Sequence, residues 1–346
     1  MHGAEPLSRE VQLVSYPEGE PRTSDFRVVE VPVREPDPGE VLVRNTWTSV
    51  DPGLRLRLTA RAPAGYFAAF GLETAMDGIM TVGEVVESRA EGFRTGDTVW
   101  HASGWRDYAV VEAGTPALGG LGTLTRLDTD LAPAQRYLGP LGGMGLTAYA
   151  GLFDVAGLRE GDVVWVSAAA GAVGSLAAQF AKLRGHRVIG SAGSDDKVAY
   201  LLGELGLDAA FNHRAGSVAE LLSAAAPDGI DVYFDCVGGD HLEAALGALR
   251  PTGRVALCGA VSQYGRRARG PANLFQATAN DLTLRGFRGS SYLHRMADVA
   301  RDVGGWLAAG RVRYRETVVE GLERAPEALA RMLAGDTIGK TLVRIA

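Results

Sequence analysis

Short apolar runs broken by turn residues fill the first 130 positions. Phe26–Val33, Val41–Asn45, Met80–Ser88, Thr98–Ala102 and Tyr108–Glu112 each predict a strand, with Pro36-Asp37-Pro38-Gly39 and Arg94-Thr95-Gly96-Asp97 turning between some of them. A Gly-rich stretch, Gly114 to Gly122, then loosens the chain. From about Asp162 the rhythm becomes strand, helix, strand. Val163-Val164-Trp165-Val166 predicts a strand, and a helix from about Val173 to Arg184 sets Val173, Leu176, Ala177 and Phe180 on one face. Arg187–Ile189, Ala209–Asn212, Asp231–Asp235 and Arg254–Gly259 continue as strands, with a helix over Asp195–Leu205 among the connections. Such alternation means a parallel sheet covered on both faces. After Gly310 strands near Val312–Val319 and Lys340–Ile345 return to the mixed pattern. The expected fold class is therefore α/β: a doubly wound domain over residues 131–310, inserted in a β-rich domain of residues 1–130 and 311–346, with ligand bound in a cleft between them.

Composition narrows the class. The chain has 346 residues, enough for two cores, and its 46% apolar and 22% charged content suits a globular protein. A net charge of −6 speaks against nucleic acid or an anionic membrane as partner. The uncharged run Val163 to Ala181 suits a buried strand, turn and helix better than a membrane span, because it holds Ser167, Gly171, Gly174, Ser175 and Gln179. Met1 to Glu5 carries no basic-then-apolar signal, so the expected location is the cytoplasm. With only Cys236 and Cys258 there is no disulfide framework, and each is expected to be a buried, inert thiol.

Candidate chemistry begins at Ala168-Ala169-Ala170-Gly171-Ala172-Val173-Gly174, between the first strand and first helix of the alternating region. Small residues here permit a tight turn, close approach of backbone to a pyrophosphate, and tight helix packing. The helix N-terminus then offers N–H groups and a positive dipole end. A site for NAD wants a carboxylate at the end of the next strand, about twenty residues on. Gly190-Ser191-Ala192-Gly193-Ser194 has none. Ser194 can cap the following helix, and Asp195 and Asp196 suit its positive end, but Lys197 opposes the dipole. A 2′-phosphate would offset that cost, so NADPH is the expected cofactor; the plainer alternative is a solvated helix lysine.

These segments, together with Gly193-Ser194-Asp195-Asp196-Lys197-Val198-Ala199-Tyr200-Leu201, Gly145-Leu146-Thr147-Ala148-Tyr149 and Asp235-Cys236-Val237-Gly238-Gly239, give a chain that resembles the prostaglandin reductase and plant double-bond reductase family of zinc-independent medium-chain dehydrogenases/reductases. The resemblance runs from Val50-Asp51-Pro52 to Gly339-Lys340-Thr341. It implies a GroES-like catalytic domain, a Rossmann domain, NADPH, reduction of enones or enals, and a homodimer. Cofactor contacts are then implied at Ala170, Gly171, Ala172, Val173, Gly193, Lys197, His213, Cys236, Gly259, Phe287, Gly289, Thr337 and Gly339, and a substrate pocket at Gly53, Arg55 and Tyr264. Tyr264 matches the tyrosine that points at the substrate carbonyl. Its position past Cys258-Gly259, at the carboxyl edge of a parallel sheet, agrees, and a neutral phenol can donate to an enolate. The alternative is a surface tyrosine beside Arg266 and Arg267.

Four departures stand out: Cys236 and Thr337 where the family has asparagine, His213 where it has tyrosine, and Gly53 where it has a large tyrosine whose loss should open the pocket. His213 and Arg214 can still help bind an adenosine phosphate. Zinc-dependent relatives carry Gly-His-Glu where this chain reads Gly78-Ile79-Met80, so no metal is expected. Two other functions stay open: an NADPH:quinone oxidoreductase, and a catalytically silent NADPH-binding sensor or partner module.

Overall fold

A computed structural model describes residues 6–118, 120–265 and 270–345. The N-terminal five residues, Arg266 and Arg267 lie outside the described residues. The chain divides into two compact units, Met1–Leu138 with Glu316–Ala346, and Gly139–Arg315. Their borders fall later in the chain than 130 and 310. Arg136, just before the first border, reaches Glu316 with its guanidinium at 3.1 Å.

The first unit is a β structure. β1 (Leu7–Leu13) and β2 (Phe26–Pro32) form an antiparallel pair. β3 (Glu40–Val50), β4 (Thr81–Ser88), β5 (Thr98–His101), β6 (Tyr108–Glu112) and β7 (Thr125–Arg126) join a larger sheet through β3, whose two edges pair β4 and β6. Val41, Val43 and Asn45 alternate inward along β3, as a half-buried strand requires. Val41 and Val43 pack with Val85, Val99 and Leu124.

The second unit opens with α1 (Gly143–Ala150) and runs β8 (Val163–Val166), α2 (Ala172–Leu183), β9 (Arg187–Ala192), α3 (Asp195–Gly203), β10 (Ala209–Asn212), α4 (Val218–Ala225), β11 (Ile230–Asp235), α5 (Gly239–Ala248), β12 (Leu249–Leu257), α6 (Phe275–Ala279), β13 (Thr283–Gly286) and α7 (Met296–Ala308). Its six strands are parallel in the order β10-β9-β8-β11-β12-β13. This is the doubly wound Rossmann order, and it reverses direction between β8 and β11, where ligands bind beyond the carboxyl ends. Trp165, Ile189, Phe211, Ile230, Tyr233 and Val255 fill one core cluster, with Trp165 stacked on Tyr233 at 4.4 Å. The chain then returns to the first unit as β14 (Glu316–Glu320), α8 (Ala325–Ala334) and β15 (Lys340–Arg344), which pairs β3.

Several elements differ from the sequence pattern. The strand expected near Val312–Val319 starts at Glu316, because Arg311 and Val312 donate to the Trp306 carbonyl and Arg313 is held on both sides by Gln179. Backbone spent on those bonds cannot join a ladder. The strand of Arg254–Gly259 ends at Leu257, where Cys258 and Gly259 both turn their N–H groups onto the Asp235 carbonyl. β1 and β13 carried no clear alternation and were not expected.

Candidate active site

The loop after β8 is shaped by small residues. Ala168 adopts φ +46°, and Gly171 donates to its carbonyl at 2.9 Å before capping α2. A Cβ at Gly174 would stand 3.0 Å from Ala169 Cα, so only glycine lets the helix sit this close. Ala172 and Val173 open α2, where N–H groups have no partner inside the helix, and Ala170 is buried beneath them. This is a cradle for a pyrophosphate.

At the end of β9 two cationic side chains and an imidazole converge. A Cβ on Gly193 would lie 3.2 Å from His213 Nε2 and 3.4 Å from Arg214 Nε. His213 donates its backbone N–H to Ala192. Its imidazole is pushed below the usual histidine value, first by burial and then by Arg214 and Lys197. Lys197 sits in the first turn of α3, whose cap Ser194 accepts its backbone N–H at 3.4 Å. Lys197, His213 and Arg214 thus share one place, with Asp195 turned to Asn212 at 2.8 Å. The residues fit a cofactor carrying an extra phosphate there.

The third part is the edge of β11 and β12. Asp235 is buried, and one carboxylate oxygen accepts from Tyr233 Oη at 2.7 Å, Val237 N at 2.9 Å and Gly238 N at 2.7 Å. Burial raises its pKa, and these bonds oppose the rise. Ser167 Oγ takes the Cys236 N–H at 2.9 Å. Past Gly259 the chain turns so that the Tyr264 hydroxyl accepts from the Ala260 N–H at 3.4 Å. Tyr264 is half-buried, and burial lifts its phenol above the ordinary tyrosine value, with the Ala260 N–H acting against it. The phenol is neutral at physiological pH and keeps its hydrogen to donate. Phe287 packs edge-on to Phe234 at 6.4 Å, and Gly289 lies so near Thr147 that a Cβ would collide with its hydroxyl.

Gly53, Arg55, Thr337 and Gly339 belong to the first unit. Gly53 does not leave an open space: the Tyr66 hydroxyl occupies the volume that a Cβ would need. Arg55 is buried and donates to the Gly19 carbonyl at 2.6 Å, which ties down an outer strap. Gly339 (φ +70°) precedes Lys340, and Thr317 holds Ile338 between Thr337 and Gly339 through both backbone groups.

Sequence reasoning missed the supports of this region. Lys340, 1% exposed, donates to Asp51 at 2.7 Å and to the Val50 carbonyl at 3.0 Å, while Ser49 donates to the other oxygen of Asp51. Arg57 holds Asp77 with two bonds, at 2.6 and 2.5 Å, donates to Ala68 and covers the Phe70 ring at 3.9 Å. Partners 289 and 20 positions apart leave no local signal. In the second unit His241, buried and stacked on Trp165, was likewise unforeseen.

Gly78, Ile79 and Met80 offer no zinc donor of the usual kind, and among the described residues no three His, Cys, Asp or Glu side chains are grouped to hold a metal ion. The residues present do not fit a zinc centre at that place.

A Rossmann sheet with a phosphate cradle, joined in sequence to a β-rich unit, defines an oxidoreductase of the medium-chain dehydrogenase/reductase type. Residues 9–117 match the family described as the N-terminal domain of oxidoreductase, and residues 172–303 match the zinc-binding dehydrogenase family. The chain is 37% identical over 344 residues to the NADP-dependent 2-alkenal reductase of Nicotiana tabacum, covering 98% of each. It is 39% identical over 338 residues to prostaglandin reductase 1 of Rattus norvegicus, covering 96% of this chain and 97% of the relative. The crystal structure of CurA from Vibrio vulnificus in complex with NADPH superposes with a TM-score of 0.89 at 35% identity, over 98% of this chain and 99% of that one. The chain belongs to the zinc-independent prostaglandin reductase and double-bond reductase family of medium-chain dehydrogenases/reductases.

Proposed function

We propose that the protein uses NADPH to reduce the carbon–carbon double bond of α,β-unsaturated ketones and aldehydes. Bound NADPH supplies a hydride, which on reaching the β-carbon leaves negative charge on the carbonyl oxygen. The Ala168–Gly174 loop binds the pyrophosphate, and Lys197, His213 and Arg214 receive the 2′-phosphate. Tyr264 donates its phenolic hydrogen to the developing enolate oxygen, the role a metal ion takes in zinc-dependent relatives. Ala170, Gly171, Ala172, Val173, Gly193, Cys236, Gly259, Phe287, Gly289, Thr337 and Gly339 complete the cofactor contacts. Gly53 and Arg55 in the first unit, and Tyr264 in the second, are the residues assigned to substrate, with the Tyr66 hydroxyl lying against Gly53. The same reading makes the protein a cytoplasmic homodimer acting on small molecules, and among the described residues no helix is long and apolar enough to cross a membrane.

The observation that carries this reading is the neutral, half-buried phenol of Tyr264 at the carboxyl edge of the parallel sheet. The relatives named for alkenals and prostaglandins support it. NADPH oxidation is to be followed across enones, enals, nitroalkenes and quinones, with products identified by NMR. The expected result is a saturated ketone or aldehyde. Turnover of quinones alone would make it a quinone reductase, and a fluorescence change on binding NADPH with no turnover would make it a silent binder.

A further inference from the structure

The chain has two cysteines, and the fold brings them together. Cys236 follows β11 and Cys258 follows β12, parallel neighbours whose register runs to Asp235 opposite Leu257. Continued one step past its last pair, that register would set Cys236 beside Cys258. The N–H groups of Cys258 and Gly259 both donate to the Asp235 carbonyl, at 2.9 and 3.0 Å, and so hold the strand ends together past the ladder. Neither sulfur is in a disulfide, and both residues are half-buried, the Cys236 thiol being the more enclosed. Adjacent strands lie about 4.8 Å apart, and side chains in register leave the sheet on one face. A disulfide needs a Cα separation of about 4.4–6.8 Å, so this pair can close without moving either strand far.

The loop bearing Tyr264 hangs from the same two strand ends. It starts at Cys258, and Val261 and Ser262 donate back to the carbonyls of Cys236 and Val237 at 3.2 and 3.1 Å. Ser262 Oγ adds a bond to Val237 at 2.6 Å. A bond between the sulfurs would pull on both anchors of this loop at once.

We propose that Cys236 and Cys258 form a reversible modification site, closed to a disulfide by hydroperoxides, and that closure switches off turnover by displacing the Tyr264 loop. One sulfur attacks the peroxide O–O bond, giving a sulfenic acid and releasing an alcohol, or water from hydrogen peroxide. The second sulfur displaces that hydroxyl as water and forms the S–S bond. Two thiols lose two electrons and two protons, and the peroxide gains them. The thiolate is the nucleophile, and the neighbouring Cys258 thiol and burial both push the Cys236 thiol up. More of the Cys236 thiolate is present as pH rises, so attack by that sulfur quickens with it.

Loss of turnover rests on the role given to Tyr264 above, whereas formation of the bond does not. The full-length protein is to be treated with hydrogen peroxide, alkylated, weighed intact and mapped by peptide mass spectrometry. The expected product is two hydrogens lighter, links the peptides of Cys236 and Cys258, loses most of its enone-dependent NADPH oxidation and regains it with dithiothreitol. Cys258→Ser should form no link and keep its own starting rate through the same treatment. Two alkylatable thiols surviving in the treated wild type, or a linked protein with undiminished turnover, would overturn the proposal. An untreated wild type that reduces no enone would sink the functional reading alone, and the mass of the treated protein would still decide the bond.

Discussion

At the carboxyl edge of the second unit, the groups around Tyr264 are held by backbone N–H donors and hydroxyls converging on Asp235 and Ser167. In the first unit, the turn from Asp51 to Arg57 is held by two ion pairs, Lys340 with Asp51 and Arg57 with Asp77. The first arrangement is tied by short-range bonds around one buried carboxylate, and Tyr264 hangs outside that knot on a single long bond, so the phenol can change with modest effect on the fold. The second draws on buried charge, where losing one partner leaves the other stranded in a poor dielectric. The comparison separates residues whose loss should damage the fold from residues whose loss should damage only the chemistry.

Its sharpest break comes from Lys340→Met. Removing the ammonium from buried Asp51 should cost about 3–5 kcal/mol in urea unfolding. The double variant with Asp51→Leu should recover most of that, and an unchanged single variant would deny the pair its structural weight.

Tyr264→Phe should do the opposite. Turnover of enones should fall by about a hundredfold or more while the unfolding free energy and NADPH affinity stay near wild type. A comparable loss of stability would show that the phenol supports the loop rather than the reaction.

A smaller effect sharpens the cofactor end. Lys197→Ala should weaken NADPH by about tenfold, roughly 1.4 kcal/mol, and leave NADH nearly unchanged, as titration by fluorescence would read. Equal losses would remove the phosphate assignment.

The least effect is common to both units. His101 in the first is lowered to about 3 by burial and then Arg106, and His241 in the second to about 4 by burial and then His213. Both are neutral when folded, whereas the unfolded chain binds protons near the ordinary value of 6.5. Their stabilisation is complete above that value and is lost as pH falls toward 4 and then 3. Between pH 7.5 and 5.5 each should cost about 1.3 kcal/mol of stability, and His241→Phe should flatten its share of the slope.

The same contrast explains what was legible in the sequence. Gly171, Gly174 and the strand–helix alternation declare themselves because backbone geometry demands small residues at particular spacings. Ser194 capping α3 follows from the same local rules. The first unit's supports were hidden because Asp51 and Lys340 meet only after the chain has returned, 289 residues later. That the Tyr66 hydroxyl would come to lie against Gly53 is a matter of loop packing with no periodic signal. Cys236 and Cys258 each look inert alone. Their pairing is visible only once β11 and β12 are known to be neighbours in register.

The central claim is that hydride goes to the β-carbon of a carbonyl-conjugated double bond. It is tested most directly with NADPH deuterated at C4 and a simple enone, with the product read by deuterium and carbon NMR. The account predicts label on the β-carbon of a saturated ketone. Label on the carbonyl carbon of an alcohol, or NADPH consumed with no label on substrate carbon, would contradict it.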